Sequence, residues 1–294
     1  MTAAPFPSLT QSQFREIARI AEREAGLFLE PQKASMVQAR LARRLRATGT
    51  ETYASYLEKI SEDENTLERQ AMIGALTTNV TQFFRELHHF EFFRTNVVPK
   101  ALHKARRGMP VKIWSAGSST GQEAFSIAMT FAEEAEDFDE LNIKILATDI
   151  CSTVLQTAEE GLFSRAQMSG LSPRQMFRFF EQTEPEGPQE RYQISQSLRN
   201  KVTFQRQNLL SSLPEQAPFD AVFCRNVVIY FKHSNLAPIW QKLRDGLVED
   251  GHLFLGHSER IEDATTYRFR AVGNTVYQSL TPQAARKFQP DRIA

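Results

Sequence analysis

Cysteine is scarce in this 294-residue sequence, which has only Cys151 and Cys224. They stand beside Asp149 and Arg225 in segments that read as strand ends, so free thiols are expected and a disulfide framework is excluded. Two cysteines and six scattered histidines give no spacing of a zinc site, and no metal is expected. Long apolar runs are missing too. No window approaches the ~18 consecutive apolar residues of a membrane span. The opening MTAAPFPSLT lacks the charged and apolar blocks of a secretory signal, so the expected location is cytoplasmic, with nothing inserted in a membrane. Neither sign of charge is in excess: 35 Lys and Arg face 35 Asp and Glu, which argues against a globally steered nucleic-acid binder.

What remains is an ordinary globular composition, and its periodicity changes once along the chain. From about residue 9 to 85, apolar residues recur at helical spacing: Phe14, Ile17 and Ile20, then Val37, Leu41 and Leu45, then Tyr53, Tyr56, Leu57 and Ile60. This predicts an N-terminal helical domain over 1–85, with Thr50 capping the third helix and Ser61 to Asn65 as the turn before a fourth. From Val111 the rhythm becomes strand-like runs, Val111 to Ala116, Ile143 to Thr148, Ala221 to Cys224 and Leu253 to Gly256, with helical stretches between the first three pairs. That alternation predicts a parallel α/β sheet within a second domain, 86–283. Tyr267 to Ala271 and Thr275 to Leu280 flank Gly273-Asn274, a turn signal for a closing antiparallel hairpin. The segment 161–203 interrupts the alternation: a helix Ser172 to Phe180, a turn Glu181 to Glu190 and a strand Arg191 to Ile194 read as an inserted subdomain. A loose tail, 284–294, is expected to follow.

Four segments carry chemistry. In V-K-I-W-S-A-G-S-S-T-G-Q-E-A-F, from Val111, a strand enters a turn and then a helix, and Gly117 and Gly121 let backbone approach a ligand at the helix N-terminus. The pattern is not G-x-G-x-x-G, and Glu123 stands where a pyrophosphate would sit. A carboxylate there repels phosphate and suits a cation, although tight strand-turn-helix packing explains the small residues equally well. In I-K-I-L-A-T-D-I, Asp149 closes a strand, where it can accept ribose hydroxyls or, alternatively, Asp149 or Ser152 caps the next helix. In F-D-A-V-F-C-R-N-V-V-I-Y-F, Arg225, Asn226 and Tyr230 gather at a strand end. Either a ligand satisfies them, or Arg225 forms an ion pair and Tyr230 packs in the core. The junction A-L-T-T-N-V-T-Q-F-F-R-E, from Ala75, reads by local physics as a capped helix start.

These segments occur in a fixed order: T-T-N-x-T-x-F-F-R-E, W-S-A-G-x-S-T-G-x-E, A-T-D-I, F-C-R-N-x-x-I-Y-F and L-F-L-G-H-S-E. In that order, over roughly Leu9 to Leu280, the chain resembles the CheR family of chemotaxis receptor methyltransferases. The resemblance implies a Rossmann-like class I S-adenosylmethionine-dependent methyltransferase sheet with an antiparallel last strand, an N-terminal all-helical domain and a small inserted β-subdomain. It implies that Asn79, Thr81 and Arg85 touch the cofactor, with Arg85 and Tyr230 near the transferred methyl. Glu123 and Asp149 match the acids holding the methionyl and ribose parts, Asn208 and Leu209 the adenine-side pair, and Arg225 and Asn226 the strand-end pair. Gln122, Ala124 and Phe125 depart from the family's usual acid, proline and tyrosine.

The implied reaction, methyl transfer from S-adenosyl-L-methionine to receptor glutamates with S-adenosyl-L-homocysteine as product, requires no general base. A carboxylate with an ordinary pKa of ~4.3 is already ionised at neutral pH. The implied partners are cytoplasmic helices of chemotaxis receptors. Lys33, Arg40, Arg43 and Arg44 form a basic stripe beside the Val37-Leu41-Leu45 face, a candidate dock for an acidic helix, against which stands a solvated face paired with Glu58, Glu62 or Glu68. In some family members the inserted subdomain binds a peptide at the receptor's C-terminus. Three rivals remain: a nucleic-acid or small-molecule methyltransferase, a non-catalytic S-adenosylmethionine- or receptor-binding module, and an NAD-dependent oxidoreductase, which Glu123 and the missing third glycine disfavour.

Overall fold

A computed structural model describes residues 8–62, 66–183 and 190–284. Apart from Ala284, the expected tail lies outside these residues, as do most of the Glu181 to Glu190 turn and part of the Ser61 to Asn65 turn.

The helical part contains α1 (Gln11–Ala25), α2 (Ala34–Thr48), α3 (Tyr53–Ser61) and α4 (Thr66–Leu76). Thr10 and Gln13 cap α1 reciprocally, and Gly26 ends it at φ 69°, a left-handed conformation that costs glycine little. A side chain on Gly26 would also strike Leu210 and Phe231, so this glycine permits close approach of the second domain. The cap of α3 is Thr52, paired with Ser55, and not the expected Thr50, whose hydroxyl donates to Leu45 O instead. The apolar stripes read from the sequence meet in one core: Ile17, Val37, Leu41, Leu45, Tyr56 and Ile60 are wholly buried. Each such side chain contributes roughly 2 kcal/mol of burial.

Between the two parts, α5 (Leu87–Phe92) runs through a wide π-helical turn, Phe93–Val97, into α6 (Val98–Arg106), where Pro99 has no N–H to donate. The sheet then follows: β1 (Val111–Ala116), α7 (Gln122–Glu134), β2 (Ile143–Asp149) and α8 (Ser152–Glu160), and later β6 (Val202–Arg206), β7 (Phe219–Cys224), α11 (Leu236–Asp245), β8 (Leu247–Leu255), β9 (Phe269–Gly273) and β10 (Val276–Ser279). Strand order is β6-β2-β1-β7-β8-β10-β9, parallel through β8, with β10 antiparallel to both neighbours. The predicted hairpin is there, but it turns one residue later than expected, at Asn274-Thr275. The two thiols are free and buried.

Two expectations are corrected here. The inserted unit comprises β3 (Leu162–Ser164), α9 (Pro173–Phe179), β4 (Phe180–Gln182), β5 (Arg191–Ile194) and α10 (Gln196–Arg199), with the strands in the order β3-β5-β4. It therefore ends before Val202, because Val202 and Thr203 belong to β6 of the main sheet. The junction after Leu76 is not a capped helix start: residues 77–86 are irregular, and α5 begins at Leu87 behind Glu86, whose φ of 57° carries no side-chain cap.

Apolar layers cover both faces of the sheet. On one, Phe223 and Phe254 stack with ring centroids 4.2 Å apart beneath Phe93. On the other, Trp114, Val222 and Leu253 pack against Trp240 and Leu243 of α11. This sandwich fixes the carboxyl ends of β1, β2 and β7 side by side, where the order reverses around β1 and a crevice must open.

Candidate functional site

At those strand ends lies a crevice, and every sequence-predicted cofactor residue lines it: Asn79, Thr81, Arg85, Gly117, Glu123, Asp149, Asn208, Leu209, Arg225 and Asn226, together with Tyr230. Residues 77–81 form one wall, and Ala25 and Leu27, just beyond α1, bring the helical part to its edge. The stripe residues Lys33, Arg40, Arg43 and Arg44 lie outside the lining.

The floor is built from turns. Gly117, at φ 84°, donates its N–H to Thr148 O at 2.7 Å, and a Cβ there would stand 2.3 Å from Val227. That is a requirement for glycine independent of any ligand. The carboxylate of Asp149 accepts the Ser119 N–H on one oxygen and the Cys151 N–H on the other, both at 2.9 Å. Burial raises its pKa, opposed by the backbone N–H groups of Cys151 and Ser119. Neither Asp149 nor Ser152 caps α8; Cys151 holds that position without a side-chain bond.

Glu123 is engaged by protein partners. Ser115 Oγ donates to one oxygen at 2.7 Å and Arg225 Nη1 to the other at 3.1 Å. Burial raises its pKa and the Arg225 charge opposes the rise. Arg225, with a side chain only 2% exposed, also reaches Glu86 Oε2 at 3.2 Å and donates to Arg85 O. The guanidinium that the sequence left open to a ligand is thus spent on protein partners, because a buried cation without counter-charge would be too costly. Tyr230 is half-buried against the core of the helical part while still lining the crevice, so the packing alternative also holds for it. Asn208 donates Nδ2 to Glu24 O at 2.8 Å, tying its loop to α1.

Two acids at the site were passed over as functional residues. Burial pushes Glu86 up, yet the hydrogen bond from His257 and the Arg225 charge outweigh it and hold the carboxyl down at about 2. Glu259, buried behind the crevice, accepts five backbone N–H groups, from Gly256, Asn226, Val227, Val228 and Ile229, at 2.6 to 3.3 Å. It thereby shapes the turn that carries Asn226 and Tyr230. Both acids end motifs that the sequence displays, F-F-R-E and L-F-L-G-H-S-E, and that position was the available signal. Glu86, His88 and His89 also bring donor atoms within 4.8 Å of one another. Those of Glu86 already face Arg225 and His257, and His89 Nε2 bonds Thr275 Oγ1 at 3.0 Å.

Backbone strain marks the same place. Phe84, Glu86, Ser119 and Asn226, none of them glycine, have φ between 50° and 58°. Such conformations cost about 1 kcal/mol or more each and persist where the surroundings enforce them. Phe84 and Glu86 flank Arg85 and set its direction, with Phe84 N–H held by Ser126 Oγ at 3.0 Å.

The stripe on α2 separates into two kinds of residue. Arg44 makes a forked pair with Glu68, at 3.0 and 2.5 Å, one of the acids named for the solvated alternative. Arg40 is bound to the junction, Lys33 is half-buried and Arg43 is exposed.

The comparisons agree with this geometry. The family described as "CheR methyltransferase, SAM binding domain" matches residues 79–278, and "CheR methyltransferase, all-alpha domain" matches residues 12–77. The "Chemotaxis protein methyltransferase" of Salmonella typhimurium is 39% identical over 274 residues, covering 92% of this chain and 91% of that protein. The protein of the same description from Escherichia coli is 38% identical over 272 residues, again covering 92% and 91%. With both domain models matched in sequence and the crevice formed where they join, the chain belongs to the CheR methyltransferase family.

Proposed function

We propose that the crevice seats S-adenosylmethionine and that the chain transfers its methyl group to side-chain glutamates of chemotaxis receptors, on their cytoplasmic helices. The supporting observation is the presence of two carboxylates, Glu123 in the first turn of α7 and Asp149 at the end of β2, in a lining whose one deeply buried cation, Arg225, is already paired. Such a lining suits a positively charged nucleoside and repels a phosphate-bearing one. Asp149 would hold the ribose hydroxyls and Glu123 the ammonium, while Asn208 and Leu209 border the adenine.

When bound, S-adenosylmethionine supplies an electrophilic methyl on a sulfonium. An ionised glutamate carboxylate attacks without a base, forming a methyl ester as the carbon–sulfur bond breaks, so positioning is the catalytic task. Arg85 would orient the incoming carboxylate and Tyr230 would line the methyl path. Of the basic stripe, Lys33 and Arg43 remain as docking residues. Incubating the protein with methyl-labelled cofactor and membranes carrying candidate receptors should yield base-labile label on the receptor. A protein that binds cofactor yet labels no receptor overturns the substrate reading.

A further inference from the structure

The wall from Leu76 to Thr81 leaves α4 and enters no other regular element, so its carbonyls have no helix or sheet ladder to join. Side chains take them instead. Arg40 Nη1 donates to Leu76 O at 2.6 Å and Thr77 O at 3.0 Å, and Arg40 Nη2 donates to Thr78 Oγ1 at 2.8 Å. Ser119 Oγ holds Asn79 O at 2.8 Å and Arg85 Nη1 holds Val80 O at 3.0 Å. The wall is pinned from α2, from the turn after β1, and from its own far end.

We propose that Arg40 is a positioning residue for the cofactor crevice and not a substrate-docking cation. Thr77 and Thr78, which it holds, line the crevice, whereas Arg40 does not. Its base is rigid: Val37 and Leu41, on the same helix, are wholly buried in the helical core. A planar guanidinium fork reaches three acceptors at fixed spacing, which a lysine ammonium on a flexible stem cannot match. Arg40 therefore conveys the position of the helical part to the wall of a pocket whose floor belongs to the sheet.

The inference rests on the crevice being the seat of the cofactor, and its test separates the two claims. S-adenosylhomocysteine is titrated calorimetrically into the full chain without receptor, for wild type, Arg40→Ala, Arg40→Lys and Asp149→Asn. Arg40→Ala should weaken binding about ten-fold, the size of one charge-assisted hydrogen bond, at a melting temperature close to wild type. Arg40→Lys should recover part of the loss. With saturating cofactor, the receptor KM of Arg40→Ala should match wild type. Unchanged product affinity together with a raised receptor KM overturns the proposal and returns Arg40 to the docking face. If Asp149→Asn binds as wild type does, the crevice is not the seat, and both claims fall. Should Arg40→Ala not fold, Arg40→Gln keeps a donor for one carbonyl and is read in the same way.

Discussion

The charges around the crevice and the charges along α2 are made of the same residue types, and burial gives them different work. Arg225 is sealed between Glu86 and Glu123 at 3.2 and 3.1 Å, over the ring of Phe90. Arg43 stands in solvent. A charge sealed from water must be matched by counter-charge, and it fixes its neighbours in return. A charge in solvent is screened, and acts on approaching partners more than on the fold. The buried set thus defines the pocket, and the wet set is available for encounter.

The largest effect expected from breaking this contrast is at Arg225. Arg225→Met leaves Glu86 and Glu123 facing one another without a cation. It should lower stability by about 3–5 kcal/mol, read by denaturant unfolding, and abolish methyl transfer. Wild-type stability in that variant would show that the two acids do not depend on it. Glu259→Gln presents an amide NH₂ to backbone donors and should cost roughly 2–3 kcal/mol while lowering kcat. Glu259→Asp should restore part of the activity if orientation of the turn is what matters.

Acid should sharpen the same comparison. Burial, followed by the charge of Arg225, lowers His89 from 6.5 to about 4, and burial with Lys100 lowers His252 from 6.5 to about 4. Below pH 6.5 the unfolded chain takes up protons that these buried rings refuse, so stability falls as pH drops from 6.5 to 4. The Glu86 contribution, present above its ordinary value of 4.5, is lost as pH falls towards 2. Melting curves across this range should show the first slope shrink in His252→Gln, and an unchanged slope would remove His252 from the account. The smallest structural effect belongs to Arg43→Glu, which should change stability by no more than about 0.5 kcal/mol. Receptor methylation by that variant should nevertheless slow several-fold at low salt, with the gap closing as salt rises.

How far the sequence could be read depended on where each signal originates. The bounds of β1 and β5 and the apolar faces of α1 to α3 follow from residues near one another in the chain, and they were legible. Strand β6 escaped because it is short and lies at the sheet edge with no fully buried residue, so the alternation of Val202 and Phe204 with Thr203 and Gln205 is a weak signal over five residues. The ordered motifs located every residue of the crevice lining assigned to the cofactor except Asn208 and Leu209, which lie between them and were matched separately. They did not reveal that Arg225 would be paired with Glu123 across 102 positions, or Arg40 engaged by Leu76 and Thr77.

By itself, then, the sequence determined the helical and strand periods, the glycine turn after β1 and the family's set of polar residues, because these are set by local spacing and composition. Only the tertiary structure decided which charge is buried against which. Partners of a buried ion are chosen by proximity in the packed molecule, and the cost of leaving any one of them unmatched in a medium without water enforces the choice.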